Sequence, residues 1–397
     1  MPLQSLNPAT DEIVREYPET PPEEVSAVLT AAREAFGQWR RTSFAERAAP
    51  LRRAAELLRE RREDLARLMA LEMGKPLAQG RAEAEKCAWV CDHYAEGAEA
   101  FLAPEDIATD AQHSYVAFEP LGVVLAVMPW NFPLWQVFRF TAPALMAGNA
   151  GVLKHASNVS GCALALEAVL HDAGIPRDLF RTLLIGSSSV ASVIEASEIA
   201  AVTLTGSTPA GRAVAEKAGA CLKKVVLELG GSDPYVILED ADLDAAVATL
   251  VDGAMYNSGQ CCCGIERIYV TSGLFDDFVE KAVAIVSDYK LGNPLDPETT
   301  LGPMAHKRFA DEVRAQRDEA IAAGAVPMVD PGLFPEDDGG TYLAPQILTN
   351  VNHGMRVMRD ESFGPVAGIM PVSSDEQAIE RHHAMRIAAN SISGWWR

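Results

Sequence analysis

Between residues 123 and 229 the chain sets out five short apolar runs separated by four stretches of helical period, each long enough to cross back over a sheet. The runs fall at 123–128, 151–154, 181–185, 201–205 and 225–229. Parallel strands need crossovers of a dozen residues or more, so this alternation points to a doubly wound parallel α/β sheet. Ligands of such sheets gather beyond the strand carboxyl ends. Another short run at 114–118 precedes the series and reads as a separate strand.

Ahead of the sheet the period is helical. Pro21-Pro22-Glu23-Glu24 is a helix start, with Val25, Val28, Leu29, Ala32 and Phe36 on one face. A second amphipathic run from Ala45 to Met73 stops at Gly74 and Pro76, and a third carries Ala84, Cys87, Cys91, Tyr94 and Phe101. Cys87 and Cys91 stand four apart on that helix, which reads as core packing.

The chain's 397 residues exceed the usual size of one core and predict two or more domains. A net charge of −21 argues against nucleic acid or an anionic membrane as the main partner. Seven cysteines, three of them adjacent and none in CxxC spacing, make neither a disulfide framework nor a metal site. The first ten residues lack the features of a signal peptide, and the apolar run at 121–128 is too short to span a bilayer. A cytoplasmic protein without metal is expected.

Chemistry concentrates in two places along 225–264. The fifth apolar run reads as a buried strand interrupted by Glu228 and stopped by Gly230-Gly231, and a carboxylate there is costly unless it has a task. A helix with Leu243, Ala246, Val247, Leu250 and Val251 on one face follows. It leads into Gly259-Gln260-Cys261-Cys262-Cys263-Gly264. Thiols in a turn of small residues sit among backbone amides that favour the thiolate, so one of the three reads as a nucleophile and the others as packing. Beyond the other strands, Asn131 is either an oxyanion donor or a turn residue beside proline. Lys154 meets either a ribose or phosphate, or only solvent. Gly206 to Gly211 opens a helix whose first N–H groups suit a pyrophosphate, although no GxGxxG occurs.

Five motifs stand in order here: PWNFP at Pro129, TGS at Thr205, ELGG at Glu228, GQxC at Gly259 and ESFGPV at Glu361. In these the chain resembles the aldehyde dehydrogenase superfamily from about Asn7 to Asp375. The resemblance implies Cys262 as nucleophile, Asn131 with the Cys262 N–H as oxyanion hole, and Glu228 as the base that activates water. It implies a cofactor held by Ser207 at the pyrophosphate, Lys154 at the adenosine ribose and Glu361 at the nicotinamide ribose. Phe363 would lie by the nicotinamide, and Trp130, Gly206 and Gly230 belong to the same cofactor-binding motifs. The implied architecture is a Rossmann-like NAD(P)-binding domain (1–101 and 119–230), an oligomerisation hairpin (102–118) and an α/β catalytic domain (231–397).

Residues 128–137, 153–159 and 228–234 resemble the bacterial succinate-semialdehyde dehydrogenase branch of that family. Arg139 matches an arginine that binds the substrate carboxylate there, or is a solvated helix residue. Tyr256 stands where some relatives have a second arginine. Ser157, neutral and able to donate to a 2′-phosphate, admits NADP, with NAD possible. Past Glu376 the family continues through a strand, a substrate-facing loop and a strand that pairs with another subunit. Here Arg381 to Arg386 leads to Trp395-Trp396-Arg397 and resembles neither that continuation nor a strand. That ending predicts a truncated or frameshifted C-terminus, an incomplete oligomerisation element, and loss in this form of the family's homo-oligomer. Oxidation of another small aldehyde, an esterase and a non-catalytic relative remain as alternatives.

Overall fold

The computed structural model describes residues 2–383 and 394–396. The reading of 384–393 and Arg397 lies outside the described residues. The chain divides into two compact units. One comprises Met1–Leu6, Ile13–Glu72 and Gln79–Glu228; the other comprises Asn7–Glu12, Met73–Ala78 and Leu229–Arg397.

The first unit opens on a two-stranded sheet of β1 (Leu3–Asn7) and β2 (Glu12–Tyr17), followed by α1 (Pro22–Trp39), α2 (Phe44–Glu60), α3 (Arg62–Met73) and α4 (Leu77–Phe101). The amphipathic run from Ala45 to Met73 is therefore two helices. The Arg61 N–H donates to the Leu57 carbonyl and closes α2, while its own carbonyl accepts from Leu65 N–H and opens α3. Ala84, Cys87 and Cys91 are buried in α4, whereas Phe101, in its last turn, is exposed. β3 (Glu105–Asp106) and β4 (Tyr115–Val116) form a short antiparallel ribbon with exposed side chains.

The five-stranded parallel sheet then builds from its middle. Its elements are β5 (Val123–Met128), α5 (Trp135–Met146), β6 (Ala150–His155), α6 (Ser160–Asp172), β7 (Phe180–Thr182), α7 (Val190–Glu195), β8 (Ile199–Thr205), α8 (Thr208–Ala220) and β9 (Lys224–Glu228). The order is β7-β6-β5-β8-β9, so the winding reverses between β5 and β8, where such sheets open a crevice at their carboxyl ends. β9 is not the buried strand its composition suggests. It lies at the edge, α8 packs against it, and Lys224, Val226 and Glu228 alternate outward with Val226 60% exposed.

In the second unit, β10 (Asp233–Ile237), α9 (Leu243–Met255), β11 (Ile265–Thr271), α10 (Phe275–Ser287), α11 (Lys307–Ala322), β12 (Val326–Pro327), β13 (Gln346–Thr349), β14 (Val366–Val372), α12 (Asp375–His383) and β15 (Gly394–Trp396) follow. The sheet order is β12-β13-β14-β11-β10-β15, with β12 antiparallel to β13. Alternate strand residues feed two apolar layers. Ile237, Ile268, Ile347 and Ile369 join Val247 and Phe278 of α9 and α10, while Val236, Tyr269, Leu348 and Met370 join Val313 and Ala378 of α11 and α12. β15 corrects the reading of the ending: Gly394 to Trp396 pair in parallel with Tyr235 to Ile237. Three residues are too few for a strand period to show in sequence, but β10's open edge accepts them. Among the described residues no helix is long and apolar enough to cross a membrane.

One buried carboxylate fixes the helix that follows Ser157. Glu72 accepts the Gly161 and Cys162 N–H groups in the first turn of α6 at 2.9 and 2.8 Å, along with the Tyr17 hydroxyl at 3.2 Å and the Ser5 hydroxyl. It serves as the cap that α6 lacks from its own N-cap residue, Val159. Glu72→Ala should strand these donors and lower stability by roughly 2 to 4 kcal/mol, read as an earlier urea transition. An unchanged transition would show that water replaces the carboxylate at no cost.

Candidate active site

The carboxyl ends of the first sheet present the residues singled out from its loops. Asn131, one turn beyond β5, is buried. The turn carrying it is tied at two points. His155 at the end of β6 bonds the Pro133 carbonyl through Nε2 at 2.9 Å, and Glu83 accepts from Leu134 and Trp135 N–H at 2.8 and 2.9 Å. Glu83 thereby caps α5, which has no side-chain cap of its own. Burial pushes the His155 pKa down to about 4. The ring is thus neutral at physiological pH: Nδ1 accepts from Ala156 N–H and Nε2–H donates to Pro133.

Lys154 is buried, not solvated, and burial lowers its pKa. Such an ammonium needs anionic or hydroxyl partners to offset desolvation. Ser157 opens the 3-10 turn Ser157–Val159 directly after β6. Gly206 N–H donates to the Glu228 carbonyl at 3.0 Å, and Ser207 stands at the N-cap of α8 with an extended backbone and no side-chain cap bond. That leaves the first turn of α8 suited to an anion.

Arg139 and Glu228, read separately in the sequence, are neighbours. The Arg139 Nη2 donates to Thr205 Oγ1 at 3.1 Å, and its Nη1 lies 3.8 Å from Glu228 Oε2. They line a groove of about 530 Å³ with Gln136 and Phe140. Glu228 is 48% exposed, a consequence of the edge position of β9.

The second unit gathers the other motifs. Before the thiols, Asn257, Ser258 and Gly259 take φ of 55°, 56° and 72°, three successive left-handed residues. For Asn and Ser this conformation is unfavourable and persists only when surroundings impose it. They do so here. Gln260 Nε2 donates to Asn257 O at 3.0 Å, its Oε1 accepts from Ala305 N–H at 2.8 Å, and Ser258 Oγ donates to Gly302 O at 2.8 Å. A Cβ on Gly259 would lie 2.0 Å from the Gly364 carbonyl oxygen.

Of the thiols, Cys261 and Cys263 bring their Sγ atoms to 3.3 Å. That contact, followed by burial, pushes the Cys261 thiol up and holds it protonated. Cys263 is exposed, so packing does not describe it, and Cys262 is half-buried.

Glu361 accepts from Gly231 N–H at 3.3 Å, and a Cβ on Gly230 would fall 2.1 Å from its Oε2. Burial, then the neighbouring Glu266, push its carboxyl up to about 7. Phe363 takes φ 53°. A Cβ on Gly231 would lie 3.7 Å from Cys262 O, so the end of ELGG, the thiol turn and ESFGPV meet in one place. Glu83, His155 and Glu266 escaped the sequence reading. Glu266 alone left a signal there, as an acid inside an apolar strand. Among the described residues no group of three His, Cys, Asp or Glu could hold a metal ion.

The aldehyde dehydrogenase family matches residues 1–392. The chain is similar to succinate-semialdehyde dehydrogenase (NADP(+)) 1 of Mycobacterium tuberculosis, at 45% identity over 400 residues that span 100% of this chain and 87% of that relative. It is 46% identical to a probable succinate-semialdehyde dehydrogenase (NADP(+)) of Synechocystis over 96% of this chain and 83% of the relative. The crystal structure of succinic semialdehyde dehydrogenase from Streptococcus pyogenes with NADP+ superposes with a TM-score of 0.94 at 34% identity, covering 99% of this chain and 86% of that one.

The low His155 pKa gives a signed expectation. A histidine held below its ordinary value of about 6.5 contributes stability above that pH and loses it as pH falls toward 4. The stability difference between wild type and His155→Gln should be largest above pH ~6.5 and shrink toward pH ~4. A constant difference across that window would contradict the neutral, donating ring.

Proposed function

The chain belongs to the aldehyde dehydrogenase family, and from that premise we propose that it oxidises succinate semialdehyde to succinate with NADP, or with NAD in its place. The observation that carries the substrate reading is Arg139, oriented by Thr205 in a groove of about 530 Å³ with Glu228 3.8 Å away. Its pair with Glu228 is half-exposed and worth at most about 1 kcal/mol. A substrate carboxylate engaging the guanidinium fork with two bonds can therefore displace it.

In this reading the Cys262 thiolate adds to the aldehyde carbon, forming a C–S bond and an oxyanion stabilised by the Asn131 amide and the Cys262 N–H. Bound cofactor supplies the hydride acceptor. Glu228 then takes a proton from water, whose oxygen attacks the Cys262 thioester and releases the acid and the thiolate. Half exposure of Glu228 supports this role, since water must reach the base.

The residues present fit a dinucleotide. Lys154 is a buried ammonium wanting hydroxyl or anionic partners, the first turn of α8 behind Gly206 and Ser207 favours a pyrophosphate, and Glu361 offers a carboxylate that Gly230 leaves room for. Trp130 and Phe363 complete the set. Ser157 carries no charge to repel a 2′-phosphate, which supports NADP. We assign the cofactor contacts of Lys154, Ser157 and Ser207 to the first unit, and the nucleophile Cys262 with the cofactor carboxylate Glu361 to the second. Free cysteines throughout support a cytoplasmic location. The exposed Ile107, Tyr115, Val116 and Phe118 around the β3–β4 ribbon are apolar surface that association would cover.

Cys262→Ala should abolish both NADP reduction and ester hydrolysis, with Cys261→Ala and Cys263→Ala retaining most of each. An active Cys262→Ala with a dead Cys261→Ala would overturn the assignment. Arg139→Ala should impair kcat/KM for succinate semialdehyde by roughly 2 to 5 kcal/mol more than for an uncharged aldehyde of like length. Equal losses on both would remove Arg139 from substrate binding.

A further inference from the structure

Glu266 sits on β11 between Ile265 and Arg267, in a strand whose first six residues are all buried. A carboxylate in that position has to be compensated, and the obvious cation next to it does not do so. The Arg267 guanidinium turns to the Ser232 carbonyl, with Nε at 3.1 Å and Nη2 at 2.7 Å, and to the Tyr269 hydroxyl. Glu266 instead accepts three backbone bonds from one short segment. Ser362 N–H reaches both carboxylate oxygens at 3.0 Å, and Phe363 N–H reaches Oε1 at 3.0 Å. Burial raises its pKa and these amides oppose the rise. Bonds of this kind to an ionised acceptor are about twice as strong as neutral ones.

The segment so held cannot relax by itself into its observed form. Phe363, a bulky L-residue, sits at φ 53°, an unfavourable conformation that needs support from its surroundings. Gly364 next to it has no room for a side chain, since a Cβ would lie 2.5 Å from Val313. Glu361 on the other side is half-buried, and its carboxylate accepts from Gly231 N–H at a long 3.3 Å. The two tied amides, together with the Gln316 Nε2 bond to the Glu361 carbonyl at 3.2 Å, thus anchor the peptide that joins Glu361 to Phe363.

We propose that Glu266 is a positioning residue for cofactor binding: by holding the Ser362 and Phe363 amides it aims the Glu361 carboxylate and fixes the ring of Phe363. The proposal rests on the reading of Glu361 as a cofactor ligand. Glutamine keeps the side-chain length and one acceptor oxygen that both amides can share, whereas asparagine is one carbon too short and alanine offers nothing.

The test is NADP binding to the full chain without aldehyde, followed by fluorescence titration, together with hydrogen exchange of the peptide containing 361–364. Glu266→Asn and Glu266→Ala should weaken NADP by about tenfold and speed exchange of that peptide, and Glu266→Gln should restore most of both. In turnover, KM for NADP should rise while KM for the aldehyde stays within about twofold, a split that general loss of structure would not give. If alanine does not fold, asparagine against glutamine makes the same comparison. Asparagine binding NADP like wild type, with unchanged exchange, would overturn the proposal, as would glutamine behaving no better than asparagine. Glu361→Ala separates the two readings: if it binds NADP as wild type does, the assignment of Glu361 fails; if it binds weakly while Glu266→Asn does not, only the positioning role fails.

Discussion

The second unit depends on one close approach, the backbone of Gly259 against the carbonyl of Gly364, where a single added carbon would come within 2.0 Å. Because both partners are backbone, neither can give way by a change of rotamer. The contact therefore locks two loops that are a hundred residues apart. One presents the three thiols after a left-handed turn, and the other presents Glu361 and Phe363. The strain in Asn257, Ser258 and Phe363 is the local consequence, and the polar contacts of Gln260, Ser258 and Glu266 keep it in place.

Charge in both units is handled by placing carboxylates according to what they must do. Glu72, Glu83 and Glu266 are buried and accept backbone N–H groups, so each substitutes for a missing cap or a missing turn bond. Glu228 is left half-exposed at a sheet edge, beside a guanidinium, where water has access. Glu361 lies between these cases: half-buried beside Glu266, with its pKa pushed up to about 7, it is poised for a partner that donates hydroxyl hydrogen bonds and favours its ionised form.

The sequence made the first sheet readable because apolar runs alternate with crossover helices, and β5, β6, β8 and β9 lie within two residues of the runs that announced them. It misjudged what composition cannot encode. Val225 to Leu229 are as apolar as a central strand, and only the strand order puts them at an edge. Arg61 breaks a run whose hydrophobic period continues across it, and Gly394 to Trp396 gain a partner that no local pattern names. The motif residues were legible by type and spacing, yet the groups that aim them were not. Glu83 resembles any solvated helix glutamate, and His155 any residue after a strand, until the fold brings the segment 129–135 against both.

The assignment of Cys262 as the acyl-carrying thiol is tested most directly by trapping. The Glu228→Gln protein would be mixed with NADP and succinate semialdehyde, quenched in acid, and the peptide containing Cys261 to Cys263 mapped by mass spectrometry. Slow hydrolysis should leave a succinyl thioester on Cys262, formed with one equivalent of NADPH. An acyl group on Cys261 or Cys263, or turnover at the wild-type rate with no trapped thioester, would contradict it.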